Sequence, residues 1–391
     1  MTLPRIKRSE GGFIAAYIGL YAALSFFLYF YFQLKGLPPF SWKTLAIAWG
    51  LGTAFIVVSV IPARWSSPLL YKVHTILAWI SLTGIAFGFY FILISVLFDI
   101  LLVILPISFP FPFWELFLAA LIALLLTYYG YKESMKIRSI NIEFPTKKLP
   151  EGIERFRILQ ISDLHLGMLI NKKMLQQIMQ QIQEENPDVI VSTGDLLDGE
   201  IEDIETISEM MLHFNPPYGK FAVTGNHEFY AGIEHALDFT GRAGFEVLRG
   251  AIVPVGPISI AGVDDPGGHF ILGQTEIDES ELLQEADTSR FTLLLKHRPL
   301  VHRDAVGKFD LQLSGHVHHG QLFPFMVFTW LFYKHTVGML DLGKGSWLYV
   351  SRGTGTWGPP VRILAFPELT IIDLVSDKKM VDRTGIEPVT P

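Results

Sequence analysis

The first third of this chain is almost continuously apolar, and no other feature constrains its fold as strongly. Four runs contain no charged residue except Asp99 and Glu115; they cover residues 13–34, 44–61, 73–105 and 114–131. About 20 apolar residues suffice for a helix to cross a bilayer, and a helical bundle in water would need polar faces that these runs lack. We therefore predict an all-α transmembrane region over residues 1–131, with four helices. A division of the third run near Asp99 would give five.

Basic residues flank these runs unevenly. Most stand at the N-terminus, between the second and third runs, and after the fourth: Arg5, Lys7, Arg8, Arg64, Lys72, Lys132, Lys136, Arg138, Lys147 and Lys148. The loop after the first run has only Lys35 and Lys43, and the loop after the third has none. Because short loops rich in Lys and Arg stay in the cytoplasm, we expect a multi-pass protein whose two ends and following domain are cytoplasmic. The lipid bilayer is its expected partner. A cleaved signal peptide is the alternative for the first run, but that run is longer than a signal core and more runs follow.

Residues 132–375 have the pattern of a globular α/β domain. Short β-branched runs such as 155–161 and 188–193 predict strands, and residues 172–183 carry apolar side chains at helical spacing. A formal net charge of −7 argues against a nucleic-acid partner. The absence of cysteine excludes disulfides and thiolate metal sites. We expect the polar residues 376–391 to form a flexible tail.

Five short polar clusters follow strand-like apolar runs in the second half of the chain. They are Asp163-Leu164-His165, Gly194-Asp195, Gly225-Asn226-His227-Glu228, Lys296-His297 and Gly315-His316-Val317-His318-His319. Open α/β sheets place their sites at the carboxyl ends of successive strands. A lone Gly-Asp after a strand is usually only a turn, but five clusters in this order favour a metal site.

The donors in these clusters suit two divalent ions. Asp163 and His165 lie two residues apart, so an extended loop can direct both at one ion, and Asp195 can bridge two ions through its two oxygens. Oxygen and nitrogen donors without sulfur favour manganese, iron or zinc. Two ions held about 4 Å apart can clamp a phosphoryl group. We therefore expect two divalent metal ions as cofactors of a phosphohydrolase.

Taken together, the five clusters resemble those of the calcineurin-like metallophosphoesterase superfamily. The resemblance covers residues 136–375 and implies an α+β sandwich of two mixed sheets flanked by helices. The expected fold class is therefore α/β, preceded by the all-α transmembrane region. The resemblance also implies two sets of metal ligands: Asp163, His165, Asp195 and His318 for one ion, and Asp195, Asn226, His297 and His316 for the other.

The same resemblance implies that His227 and Asp163 are catalytic. His227 would stabilise phosphoryl charge or protonate the leaving oxygen, and Asp163 would orient its ring. Asn226 and His227 would also contact the substrate. Arg352 is a further candidate for binding the substrate phosphate, with a structural salt bridge as the alternative.

Three further stretches are similar to the membrane-associated branch of the superfamily: residues 262–266, 315–321 and 351–360. That branch includes transmembrane proteins with a metallophosphoesterase domain, and some of its relatives are UDP-2,3-diacylglucosamine pyrophosphatases. His319 departs from the glycine that relatives often carry. We do not expect His319, His302 or His269 to bind metal.

Residues 322–333, Leu-Phe-Pro-Phe-Met-Val-Phe-Thr-Trp-Leu-Phe-Tyr, follow the last cluster directly. They are too few to span a bilayer. They form either a buried core element or an apolar flap at the membrane interface, with Trp330 and Lys334 near the headgroups. A flap in this position would suit an amphiphilic substrate.

These features predict a membrane-anchored enzyme that hydrolyses phosphodiester or pyrophosphate bonds. The substrate hypothesis is a lipid-linked molecule such as UDP-2,3-diacylglucosamine or a phospholipid. The alternatives are a protein or nucleotide phosphatase, and a membrane sensor with an inactive phosphoesterase-like domain. The acidic net charge disfavours a nuclease.

Overall fold

The computed structural model describes residues 68–105, 114–167, 172–199, 203–273 and 277–377, together with single helical residues between 19 and 33. The predicted span at 44–61, most of that at 13–34 and the tail from residue 378 lie outside the described residues. The chain divides into two compact units. One comprises Met1–Glu133 and Gly358–Ile363, and the other comprises Ser134–Trp357 and Leu364–Pro391.

The first unit contains two long apolar helices, α1 (Pro68–Ile104) and α2 (Trp114–Ser134). Among the described residues, these two are long and apolar enough to cross a membrane. The hydroxyl of Thr127 in α2 donates to the carbonyl of Ala123 at 2.8 Å, as a polar side chain in hydrocarbon requires. α1 continues unbroken through Asp99, where the sequence allowed a division.

The segment Gly358–Ile363 returns to this first unit. The backbone amide of Arg362 donates to the carbonyl of Gly130 in α2 at 3.0 Å. A Cβ at Gly130 would lie 2.5 Å from Val361 Cγ1 and 2.9 Å from Ile363 Cγ1, so only glycine allows this close approach.

Two six-stranded sheets form the second unit. The first has the order β1 (Arg138–Thr146), β12 (Glu368–Ser376), β2 (Arg155–Ile161), β3 (Val189–Ser192), β4 (Lys220–Ala222) and β5 (Phe245–Val247). The second has the order β10 (Gly338–Gly343), β11 (Ser346–Val350), β9 (Leu311–Ser314), β8 (Phe291–Leu295), β7 (Ile258–Gly262) and β6 (Ala251–Val255). Each sheet is mixed: β12 is antiparallel to β2, and β6 and β10 are antiparallel to their neighbours, while the central strands are parallel.

A shared apolar core joins the facing surfaces of the two sheets. Ile158 and Val191 from the first sheet pack with Leu293 and Leu313 from the second, and all four are fully buried. β3 reads Val-Ile-Val-Ser and is buried on both faces, as a central parallel strand should be. The predicted sandwich of two mixed sheets is confirmed.

Helices cover the outer faces of the sandwich. They are α3 (Lys172–Glu185), α4 (Ile204–Leu212), α5 (Asn226–Ala231), α6 (Ile233–Arg242), α7 (Gly267–Leu272), α8 (Glu279–Leu282) and α9 (Phe325–Tyr333), with short 3-10 turns at Leu283–Glu285, Arg303–Ala305 and His318–Gly320. α3 shows why such helices form: Leu175, Ile178 and Ile182 recur on one face and are buried against the first sheet.

The segment after the last polar cluster is a helix on the surface. α9 contains no buried residue, so the alternative of a buried core element for residues 322–333 is wrong. The apolar run could not decide between the two, because an all-apolar helix has no polar face to mark its solvent side.

Candidate metal centre

The five polar clusters meet at one edge of the sandwich. β2, β3 and β4 are parallel, as are β8 and β9, so their carboxyl ends lie together. These ends supply Asp163 and His165 after β2, Asp195 after β3, Asn226 and His227 after β4, His297 after β8, and His316 and His318 after β9. All of them are buried except His316, which is partly exposed.

Left-handed backbone turns direct these side chains inward. Five of the seven predicted ligands have positive φ: Asp163 (52°), His165 (49°), Asp195 (51°), His316 (72°) and His318 (46°). This conformation is uncommon for residues other than glycine, and its cost of about 1 kcal/mol or more per residue persists where function requires the geometry.

Asp195 lies at the centre of the cluster. Its Oδ2 is 3.2 Å from His297 Nε2 and 3.8 Å from His165 Nε2. It belongs to two groups of donors whose ligand atoms all lie within 4.8 Å of one another, His165–Asp195–His227 and Asp195–His297–His316. A single carboxylate shared by two groups is the arrangement that a bridging ligand needs.

Donor atoms face one another on both sides of Asp195. On one side, His165 Nε2 is 3.1 Å from His318 Nε2, which is 3.6 Å from Asp163 Oδ1. On the other side, His297 Nε2 lies 3.2 Å from Asn226 Oδ1 and 3.0 Å from His316 Nδ1. The seven predicted ligands are therefore brought together around Asp195.

Hydrogen bonds outside the cluster fix its donors. His297 Nδ1 donates to the carbonyl of Thr193 at 2.8 Å, which leaves Nε2 facing Asp195. The buried carboxylate of Glu228 accepts from the amides of Asp195 (3.0 Å), Leu196 (2.7 Å) and Gly225 (2.7 Å), and so ties the turn after β3 to the turn after β4.

Two glycines allow the close approach of these turns. A Cβ at Gly225 would overlap Asp195 Oδ1, and a Cβ at Gly315 would overlap Ser162 Oγ and Asp163 Oδ2. Gly225 and Gly315 are therefore required because no larger residue would fit at either position.

The charges of the site suit a cation. Burial lowers the pKa of His165 to about 4 and that of His316 well below its ordinary value, so both rings are neutral and keep a lone pair at pH 7. Burial also acts to lower the pKa of His297, but the Asp195 carboxylate outweighs it and raises the pKa to about 10. A cation bound at Nε2 would replace that proton. The donor set therefore fits divalent metal ions.

Comparison with known proteins agrees with this geometry. A family model described as calcineurin-like phosphoesterase matches residues 156–320. An uncharacterised metallophosphoesterase of Aquifex aeolicus is 40% identical over 256 residues, a match that covers 65% of this chain and 97% of that protein. The chain belongs to the calcineurin-like phosphoesterase family. It is a metal-dependent phosphoesterase hydrolase, as the sequence predicted.

Other relatives of the family match the same part of the chain. A metallophosphoesterase of Campylobacter jejuni is 34% identical, with 62% of this chain and 64% of that protein covered. A Danio rerio protein named transmembrane protein with metallophosphoesterase domain is 31% identical, with 67% of this chain and 63% of that protein covered. Both matches span slightly less than two thirds of the relative. The names of such relatives, with α1 and α2, suggest membrane association.

Similarity to solved structures is low. A nuclease of Pseudomonas putida has a TM-score of 0.26 at 16% identity, with 51% of this chain and 77% of that chain covered. The Plasmodium protein GAP50 has a TM-score of 0.35 at 11% identity, with 57% and 82% covered. Values this low say nothing about substrate.

Asp198 contacts His227, and the prediction that Asp163 orients this ring is wrong. His227 Nδ1 lies 2.7 Å from Asp198 Oδ1, whereas Asp163 accepts hydrogen bonds from Ser162 Oγ and the amide of His316. Burial acts to lower the pKa of His227, but Asp198 and Asp195 outweigh it and raise the pKa to about 9. The two carboxylates therefore favour the protonated, positively charged form of the ring.

Sequence reasoning missed Asp198 and Glu228. Both stood beside predicted residues, in Gly194-Asp195-Leu196-Leu197-Asp198 and in Gly225-Asn226-His227-Glu228. Neither side chain is one of the predicted metal ligands, so a search for ligands alone passed over both residues. A second acidic residue three positions after Asp195 was the available signal.

The remaining predicted residues lie around the site. Arg352 forms the salt bridge that stood as its alternative, with Nη1 2.7 Å from Glu368 Oε2; its contact with a phosphate stays a prediction. His319 is half-buried with Nδ1 3.3 Å from Thr336 Oγ1, and His302 is exposed. The side chain of His269 lies outside the described residues.

Proposed function

We propose that this chain is a membrane-anchored phosphohydrolase with two divalent ions, which cleaves a phosphodiester or pyrophosphate bond of a lipid-linked substrate. One observation carries the proposal: six residues with nitrogen or oxygen donors surround Asp195 in two sets, beside a charged His227. A structural metal site would need only one closed set of four ligands.

The residues present fit two ions. Asp163, His165, Asp195 and His318 would hold one, and Asp195, Asn226, His297 and His316 would hold the other, with manganese, iron or zinc as the metal. When bound, two such ions supply Lewis-acid stabilisation of phosphoryl oxygens and a water of lowered pKa.

His227 would serve as the proton donor to the leaving oxygen. Asp198 holds Nδ1 at 2.7 Å, so the proton on Nε2 is left to face the substrate. The raised pKa of about 9 keeps that proton in place at neutral pH. The positive ring would also stabilise negative charge on the phosphoryl group, and the amide of Asn226 would help to orient it.

The lipid-linked substrate is supported by two features of the chain. α1 and α2 have the length and composition of membrane spans, and the apolar α9, which has no buried residue, begins within seven residues of His318. UDP-2,3-diacylglucosamine and phospholipids are the candidate substrates. Protein phosphatase, nucleotide phosphatase and inactive sensor remain alternatives, and the complete set of donors weighs against the sensor.

A substrate panel tests the proposal. We expect the purified full chain, reconstituted with manganese, to hydrolyse bis-p-nitrophenyl phosphate and to prefer UDP-2,3-diacylglucosamine or a phospholipid over soluble nucleotides. Efficient cleavage of soluble nucleotides with both lipids left intact would overturn the substrate class. Absence of any metal-dependent hydrolysis would overturn the function itself.

A further inference from the structure

The exposed side chains of α9 form a continuous apolar surface, which we call the α9 patch. It comprises Val327, Phe328, Trp330, Leu331 and Phe332, whose side chains are 52, 54, 52, 51 and 80% exposed. Single apolar residues on a surface are ordinary, but a helix that exposes this many large ones together marks a binding surface.

The hydroxyl in the middle of α9 is satisfied within the helix. Thr329 is the one hydroxyl between Phe325 and Phe332, and it donates to the carbonyl of Met326 at 3.0 Å. Hydrogen bonds made within a helix are a requirement for entry into hydrocarbon. An ordinary surface helix would instead carry a polar stripe.

The end of α9 has the character of a membrane–water boundary. The Lys334 ammonium lies 5.1 Å from the centre of the Trp330 ring. An indole beside a lysine is the pair that favours the headgroup layer, where the ring is half immersed and the ammonium meets phosphate.

A bilayer is the occupant that the candidate spans of this chain would bring nearby. α2, a candidate span, ends at Ser134, and β1 begins at Arg138. The three residues between them extend over at most about 15 Å. A domain joined to a membrane span by so short a tether would meet the bilayer at high effective concentration, so even modest apolar burial would give stable contact.

We propose that α9 is an interfacial helix that inserts the α9 patch into the leaflet of the bilayer that anchors the chain. It lies in the interface and does not cross it, because its nine residues are too few to span. This is a membrane contact additional to the transmembrane anchor.

The insertion also gives the active site a route to its substrate. Before α9, Gln321 makes two hydrogen bonds with the backbone of Trp357 (2.8 and 3.0 Å), and the Trp357 ring lies 5.9 Å from that of His227. At its end, the Tyr333 ring lies 5.6 Å from that of His316. α9 therefore joins two sides of the metal centre's rim. This consequence rests on the proposed function: a lipid phosphate would enter from the leaflet.

Fluorescence labelling tests the insertion directly. Because the chain has no cysteine, Phe328→Cys gives a single site for an environment-sensitive dye in the full chain, reconstituted in phosphatidylcholine–phosphatidylglycerol vesicles. The matched control is Leu212→Cys on α4, where the native side chain is 50% exposed. We expect lipids with brominated acyl chains to quench the dye at 328 and to leave that at 212 unquenched. Equal quenching at both positions, or none at 328, would overturn the insertion.

Two substrates that share the same leaving group, p-nitrophenol, test whether a lipid phosphate enters the active site from the leaflet. Octadecyl p-nitrophenyl phosphate resides in the bilayer, and bis-p-nitrophenyl phosphate resides in water. For the double variant Phe328→Ser and Phe332→Ser, we expect turnover of the first to fall on the order of tenfold, since two large apolar groups are lost from the contact, with turnover of the second unchanged. The control Leu212→Ser should change neither.

The two experiments separate the two proposals. Quenching at 328 without hydrolysis of either ester would sustain the insertion and overturn the phosphohydrolase function. Hydrolysis of both esters without quenching at 328 would sustain the phosphohydrolase function and overturn the insertion. An equal fall for both esters in the double variant would count against leaflet entry.

Discussion

At the scale of single residues, Asp195 unites the two sets of donors. Its Oδ2 faces His297 and His165, and its Oδ1 accepts the amide of His227 at 2.8 Å. Asp195→Asn keeps the shape and removes the negative charge. We expect metal affinity to fall at least about 100-fold and turnover to be lost, as measured by metal titration and hydrolysis of bis-p-nitrophenyl phosphate. Asp341→Asn, at an exposed position of the edge strand β10, is the control, and parent-like affinity in Asp195→Asn would contradict a bridging role.

We expect Asp198 to set the alkaline limit of activity. It raises the pKa of His227, and the ring must be protonated to donate to the leaving oxygen. In Asp198→Asn the pKa of His227 falls, so the alkaline limb of kcat against pH should move to lower pH. The direction follows from the loss of a negative neighbour, which favoured the charged ring. An unchanged limb would show that His227 is not the proton donor.

The sequence predicted the members of the site better than their contacts. The donors were recognisable because each follows a strand-like run, and parallel strands bring their carboxyl ends together. The partner of His227 was not recognisable in the same way. The choice between Asp163 and Asp198 depends on which carboxylate the turns direct at Nδ1, and that is a three-dimensional property.

At the scale of elements, the positions of strands in the sequence were predictable, but the pairing of strands within the sheets was not. Runs such as Arg155–Ile161 and Phe291–Leu295 match β2 and β8, because strands of a buried sheet carry alternating or continuous apolar residues. Pairing of β1 with β12, more than 200 residues later, left no local signal. The surface position of α9 was equally hidden, since apolar composition is the same for a core helix and a membrane-facing one.

The Arg352–Glu368 pair joins β12 to the loop after β11. Glu368 is fully buried and accepts from Arg352 Nη1 (2.7 Å) and the Tyr349 hydroxyl (2.8 Å). Arg352→Gln leaves this carboxylate without its cation, so we expect a loss of stability of about 3 kcal/mol with KM unchanged. Thermal unfolding and kinetics measure the two effects. A raised KM at an unchanged unfolding temperature would support the phosphate-binding role instead.

At the scale of the whole molecule, the chain joins a confirmed phosphoesterase fold to apolar helices that suggest a membrane. Lys132 lies in the last turn of α2, and Lys136 and Arg138 follow the helix closely; positive charge in such a position favours the cytoplasmic side. We expect a reporter fused after Tyr131 to be active only in the cytoplasm. Activity on the opposite side would place the catalytic unit outside and would contradict the predicted orientation.

The central claim is that catalysis needs two metal ions held around Asp195. Its most direct test is to strip the purified full chain with a chelator and add back manganese while metal content and hydrolysis of bis-p-nitrophenyl phosphate are followed together. We expect turnover to rise as the second equivalent of manganese per chain binds and then to reach a plateau. Full turnover with one equivalent, or turnover that survives complete chelation, would contradict it.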